Sequence, residues 1–477
     1  MTYTSFGFFV LVAVLLLLYY ILPEKVRWLV LLAGNAVFYY LAAASRWNLL
    51  VFATTVVLSY LAGLLIEKVY QSEKKEIRKK TALWTGIILS ILPFLGYKLG
   101  VTANSRALVT LGISFYSLQI IAYLVDISRG RISAERNLLR YGLFMSFFPQ
   151  IIQGPIPRYG ELAEQLYKGH KFKYENLTFG AQLTIWGLFL KFMIADTAGV
   201  VVDQIFNNYE AYEGFYVLVG GVLYSLQLYT DFMGCVSISQ GVSQMFGISL
   251  SENFNRPYFA TSIKDFWRRW HMSLSSWLRD YVYIPLGGNR GGKARKYLNI
   301  LLTFAVSGFW HGNGIKFLFW GLLHGLYQIL GELTSGIRLK IADVLKVDVN
   351  SGVHRVFRSL VTFFFVMIGW IIFRAEDFRA AIHMLLNIPV WNPWVLFDDS
   401  FLALGLDQKQ WNVLIISLMT LLLVGLAKEK GVRIRQWIAK QHVFFRWTVY
   451  ITVIWVIWVF GTYGFGFNAN DFIYGGF

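Results

Sequence analysis

Seven histidines occur in this chain, and two of them sit where an imidazole could do chemistry: His311 in SGFWHGNG (307–314) and His324 in FWGLLHG (319–325). Both lie in or beside apolar runs, where an ionisable group is costly and normally faces a cavity or a partner. Neutral imidazole, with an unperturbed pKa of about 6.5, accepts a proton from a hydroxyl at physiological pH. Trp310 and the small residues beside His311 would let a substrate approach that ring closely, which makes His311 the leading candidate base. His324 has a competing use as a hydrogen-bonding group between helices.

Other chemistries fit the sequence less well. Three histidines suffice in principle for zinc, but His271 and His311 are 40 residues apart and neither has an i, i+4 partner or an adjacent carboxylate, so no metal is expected. A glycine-rich phosphate loop, a Gly-x-Ser-x-Gly elbow and a paired-carboxylate motif are all missing. The lone cysteine, Cys235, excludes an intramolecular disulfide framework and has no neighbouring base to activate it. Asp126, Asp196 and Asp231 are acids near span ends that could orient a histidine, hold a cation or simply cap a helix, and Asp231 in LQLYTDFMG (226–234) is the most interesting of them.

The elements that must hold these residues are membrane helices. The chain is 56% hydrophobic, 18% aromatic and 15% charged, whereas a soluble domain carries about a quarter charged residues. Apolar stretches at 6–22, 28–44, 47–66, 82–99 and 108–125 approach the roughly 20 residues that cross a ~30 Å hydrocarbon core. Others recur near 179–195, 215–230, 298–331, 357–373, 411–427 and 443–461. Counted this way, the chain is an all-α polytopic membrane protein with about ten to twelve membrane-embedded helices. The first stretch has no basic residue before it and no cleavage pattern after it, so it is expected to be a retained span. The loop 67–80, EKVYQSEKKEIRKK, carries six Lys and Arg and should face the cytoplasm, which places the N-terminus outside. The net charge of +17 is spread over short loops of this kind, so it points to membrane orientation and not to nucleic acid.

With no internal repeat and no linker, one membrane domain is expected over 1–477: N-terminal spans to 130, a motif-bearing core at 131–335 and C-terminal spans from 336. Three segments depart from regular spans. FFPQIIQGPIPRY (147–159) has three prolines and a glycine and reads as either a re-entrant segment lining a cavity or a surface loop. The apolar run 298–330 is 33 residues long, more than one span needs, and Gly312, Asn313 and Gly314 should break it and leave His311 at a helix end. Lys264–Tyr281 reads as an interfacial amphipathic helix. Phe266, Trp267, Trp270, Leu274, Trp277, Leu278 and Tyr281 form one face and Lys264, Arg268, Ser275 and Arg279 the other, with His271 on the solvated seam. Pro285, Gly287 and Gly288 end it, and Arg290, Lys293, Arg295 and Lys296 form a basic cytoplasmic turn.

Two of these segments, ENFNRPYFATSIKDFWRRWHMSLSSWLRDYVYIPLGGNRGG (252–292) and SGFWHGNGIKFLFWGLLHG (307–325), closely resemble membrane-bound O-acyltransferases of the bacterial alginate O-acetyltransferase type. SFFPQIIQGPIPR (146–158), YTDFMG (229–234) and the terminal NDFIY (470–474) extend the likeness over most of the chain. The resemblance implies a ring of tilted helices around a central tunnel in the bacterial cytoplasmic membrane. It maps the family's two histidines onto His311, the main catalytic residue, and His271, which would position the thioester or stabilise charge. The implied co-substrate is acetyl-coenzyme A or another cytoplasmic acyl thioester, with no bound cofactor. Lys264, Arg268 and Arg269 are candidates to bind its phosphates, and Trp310, Asn313, His324 and Asp231 to line the tunnel or orient substrate. The implied acceptor is an extracytoplasmic polysaccharide, with a separate secreted or periplasmic protein completing the transfer. Cys235-Val236-Ser237 stands where alginate-type relatives carry an aromatic, a serine and an aspartate, and FIYGGF ends the chain where an aromatic-Gln-Phe close is usual. Those departures leave peptidoglycan, a secondary cell-wall polymer, D-alanyl transfer and a lipid acceptor as alternatives to alginate. A transporter or flippase is the rival without acyl chemistry.

Overall fold

In a computed structural model, which describes residues 1–43, 45–73, 75–99 and 110–463, the protein is built from helices and turns, with no strand among the described residues. The terminal motif at 470–474 lies outside them. Five helices are long and apolar enough to cross a membrane: Arg46–Gln71, Tyr174–Asn207, Gly352–Arg374, Gln408–Glu429 and Val443–Phe460. Of the last two, only a small part is covered by protein (11% and 6%), against 72% for Tyr174–Asn207, so the last two read as lipid-facing and Tyr174–Asn207 as interior. Phe6–Ile21 and Ile113–Ser128 are shorter apolar helices.

The stretch 82–99, expected to be one span, is a bent pair instead. Glu76–Ser90 and Leu92–Lys98 meet at 63°. Pro93 has no N–H for the helical ladder and its ring crowds the preceding turn, so the chain re-enters a helix with that proline in its first turn. By contrast, the long run after 298 divides where glycine demands it, into Gly292–His311 and Ile315–Leu333.

The described chain forms two compact units, Met1–Gly187 with Cys235–Ser251, and Leu188–Gly234 with the residues from Glu252 on. In the first, FFPQIIQGPIP (147–157) is a series of turns buried throughout, not a surface loop. Its non-helical backbone is satisfied from neighbouring helices: the Phe148 amide donates to Asn35 Oδ1 at 2.9 Å and the Tyr3 hydroxyl to the Phe148 carbonyl at 2.6 Å. Irregular backbone at membrane depth needs such cover. All three candidate histidines lie in the second unit.

Candidate active site

His271 is held at a break in the chain. Ser262 opens the helix Ile263–Arg269 by accepting from the Asp265 amide at 3.1 Å. After Trp270 the backbone turns left-handed at His271, φ 43° and ψ 56°, and Met272–Leu278 begins. That conformation costs a residue with a side chain roughly 1–2 kcal/mol, so neighbouring bonds must hold it. Asn253 supplies them. Its carbonyl accepts from the Met272 amide at 2.9 Å. Its side-chain oxygen accepts from the Ser273 amide at 3.1 Å and the Ser273 hydroxyl at 2.8 Å, and lies 3.2 Å from His271 Nδ1.

The continuous amphipathic helix expected over Lys264–Tyr281 is therefore two short helices followed by a π-helical turn, Arg279–Tyr283. His271 is 1% exposed and not on a solvated seam. The ring packs edge-on to Phe232, 4.8 Å between centroids, and lies 6.1 Å from Trp310. Complete burial pushes its pKa down to about 3, which keeps it neutral at physiological pH.

His311 is the last residue of Gly292–His311, as the glycines after it suggested, and is 2% exposed. Two glycines set its depth. A side-chain carbon on Gly308 would come within 2.2 Å of the Phe317 carbonyl oxygen, and one on Gly321 within 2.2 Å of that of Phe304. The helices ending and starting around His311 thus meet backbone to backbone, the close approach that small residues permit in membranes. This brings His311 against Trp310 (4.8 Å), Trp320 (5.1 Å) and Phe373 (5.6 Å).

His324, one turn beyond Trp320, is fully buried among Trp267 (5.1 Å), Trp320 (5.1 Å) and Trp370 (6.1 Å). The Trp267 indole donates to its Nδ1 at 3.4 Å. The three histidines are therefore linked by shared tryptophans, Trp310 between His271 and His311, and Trp320 between His311 and His324. Asn313 is exposed in the turn after His311 and is not part of this cluster.

Asp231 belongs to a different cluster. Its carboxylate is 2.7 Å from Lys191 Nζ, which also lies 2.9 Å from Asp196. All three side chains are buried, and Lys191 stands on the π-helical turn Leu190–Ala195. The sequence reading missed Lys191, although a single lysine inside an apolar run was the available signal. Asp126 pairs with Arg131 at 3.3 Å. Asn253 was missed too, since nothing local distinguishes it.

Among the basic candidates, Arg269 is occupied by Asp265 at 3.1 Å and Glu429 at 3.5 Å, while Lys264 and Arg268 are exposed on the same short helix. The basic turn expected at 290–296 is mostly helix: Lys293, Arg295 and Lys296 lie in the first turns of Gly292–His311, and Lys296 reaches Glu332 at 2.6 Å, a hydrogen bond that holds Glu332 below and Lys296 above the usual range.

Residues 40–365, which include His271, His311 and His324, match the MBOAT, membrane-bound O-acyltransferase family. Over 441 residues the chain is 34% identical to a probable alginate O-acetylase, AlgI, of Pseudomonas syringae pv. tomato, covering 88% of this chain and 80% of that one. It is 33% identical over 402 residues to the peptidoglycan O-acetyltransferase of Helicobacter pylori, covering 75% and 72%. A teichoic acid D-alanyltransferase of Bacillus subtilis is 30% identical over 303 residues, 61% of this chain and 74% of that one. These relatives are acyl-transferring enzymes by name, which sets aside the transporter alternative. A helical, multi-pass chain with buried histidines and these relatives belongs to the membrane-bound O-acyltransferase family and is an O-acyltransferase.

Proposed function

We propose that the protein moves an acetyl group from a cytoplasmic thioester, acetyl-coenzyme A, across the bacterial cytoplasmic membrane to hydroxyls of an extracytoplasmic polysaccharide. The observation that carries this reading is the pair of buried histidines joined through Trp310, whose ring lies 6.1 Å from His271 and 4.8 Å from His311. His311 is the base. It takes the proton of the attacking hydroxyl as oxygen bonds to the thioester carbonyl carbon. The carbon–sulfur bond then breaks and the proton passes to the departing thiolate sulfur. The C-terminal end of the helix carrying His311 favours the positive charge that the imidazole holds in between. Lys264 and Arg268, free of the acidic pairs that engage Arg269, are the better placed to meet coenzyme A phosphates.

The loop 67–80 sets the cytoplasmic side and the N-terminus lies outside. Donor and acceptor meet at His311, and a secreted or periplasmic partner completes delivery. Acetyl is favoured over D-alanyl because the O-acetylating relatives align over 88% and 75% of the chain and the D-alanylating one over 61%. The test offers acetyl-labelled coenzyme A to the purified protein in lipid bilayers, with alginate oligosaccharides or peptidoglycan fragments as acceptors. Alkali-labile label on one polysaccharide is expected. Turnover of a D-alanyl thioester, with none of the acetyl donor, would overturn the assignment.

A further inference from the structure

Two of the buried histidines have hydrogen-bond partners whose roles cannot reverse, and these assign the ring protons. A backbone amide only donates, so the Asn253 atom that the Ser273 amide meets at 3.1 Å is the side-chain oxygen, not the nitrogen. The Ser273 hydroxyl reaches the same oxygen at 2.8 Å. An oxygen that accepts both of these also accepts from His271, so Nδ1, 3.2 Å away, carries the proton and Nε2 the lone pair. His324 is the opposite case. The Trp267 indole N–H can only donate, and it reaches Nδ1 at 3.4 Å, so in neutral His324 the proton is on Nε2.

We infer that Asn253 is a positioning residue that fixes His271 as the Nδ1–H tautomer, so that His271 meets its substrate with a lone pair at Nε2 and not with a proton. The main chain makes this arrangement rigid. The segment around Asn253 bonds to both sides of the left-handed break, from the Asn255 amide to the Arg269 carbonyl at 2.9 Å and from the Met272 amide to the Asn253 carbonyl at 2.9 Å. The acceptor oxygen is thereby held in place by backbone bonds, not by a side-chain rotamer alone. The mechanistic consequence is specific. A lone pair receives a hydrogen bond from a substrate hydroxyl or amide, but it cannot stabilise the negative oxygen that develops on a thioester carbonyl, which needs a donor. Of the two roles open to His271, positioning and charge stabilisation, this leaves positioning.

The catalytic half of this inference rests on the functional reading above, whereas the tautomer does not, and the test separates them. Histidine is labelled with nitrogen-15 in the full-length protein in lipid bilayers, and His271→Gln identifies the His271 signals by difference. The wild type should show a protonated Nδ1 and an unprotonated Nε2 at His271. Asn253→Ala should lose that preference, and Asn253→Asp, which keeps an acceptor oxygen, should retain it. A protonated Nε2 at His271 in the wild type overturns the inference directly. In turnover of acetyl-coenzyme A, Asn253→Ala should lower kcat by roughly 10- to 100-fold, the range seen when an orienting partner is removed, with KM for the thioester unchanged and most of the loss recovered in Asn253→Asp. An unchanged kcat in Asn253→Ala also overturns it. Intact turnover in His271→Gln, with the tautomer as expected, would leave the tautomer standing and refute the functional reading of His271.

Discussion

The Lys191 cluster and the histidine cluster are both buried in the same unit, yet one is a lysine with two aspartates and the other three histidines among tryptophans and phenylalanines. In the first, one lysine meets two carboxylates at 2.7 and 2.9 Å, and removing the lysine would leave the buried carboxylates without the cation between them. Such a cluster ties the π-helical turn at Leu190–Ala195 to the helix Phe215–Met245 and is suited to holding structure. In the second, three histidine rings pack mostly edge to face against tryptophan and phenylalanine rings, with no carboxylate or ammonium group in those ring contacts. The comparison teaches that burial of an ionisable group does not itself mark a catalytic site. What distinguishes the two is whether the ionisable groups are tied to partners of opposite charge or packed among aromatic rings.

The comparison breaks most sharply at Lys191. Lys191→Met leaves two buried carboxylates facing each other and should cost about 3–5 kcal/mol, the range for removing one partner of a buried pair. Size-exclusion profile and thermal unfolding in detergent would show lost assembly, and Asp196→Asn with Asp231→Asn in the same chain should restore part of it. Unchanged unfolding would mean that the cluster is not structural. Next is Gly308→Ala, whose new carbon would meet the Phe317 carbonyl at 2.2 Å. It should cost about 1–3 kcal/mol as an overpacking change and lower transfer, because it displaces His311 from Trp320.

The smaller effects sharpen the assignment within the histidine cluster. His271, with its pKa pushed down to about 3 by burial, is in the neutral form at every pH above that value. An acid limb of the turnover profile between about pH 5 and 8 therefore belongs to another group, and His271→Gln, though slower, should keep it in place. A limb that disappeared or moved would show that His271 titrates in that window. The smallest effect is expected from Lys264→Gln with Arg268→Gln, a rise of a few-fold in KM for acetyl-coenzyme A that salt diminishes, because exposed charges are screened. An effect on kcat alone would argue against a donor-binding role.

Much of the second unit can be read in the sequence because its signals are local. The glycines at 312 and 314 end one helix and allow the next, so the position of His311 follows from a few neighbouring residues. Pro93 was an equally local signal for the bend at 92–98, and a pure length-and-hydropathy count passes over it. The break at His271 could not be read this way. Apolar residues continue at helical spacing through 266–278 and are buried on both sides of it, while the bonds that impose the left-handed turn come from Asn253, 18 residues earlier. Lys191 and Asp231 are 40 residues apart, and only the fold reveals that they meet. The acidic partner of Arg269 could not be read for the same reason, since Glu429 is 160 residues away.

The central claim, that His311 is the base of acyl transfer, is tested most directly by comparing His311→Ala with the wild type, both purified in lipid bilayers and monodisperse, in single-turnover transfer from acetyl-coenzyme A. Transfer should fall by roughly 10²- to 10⁴-fold, the usual contribution of a positioned general base, while assembly and thermal unfolding stay close to those of the wild type. Wild-type transfer rates in a correctly assembled His311→Ala protein would contradict the account.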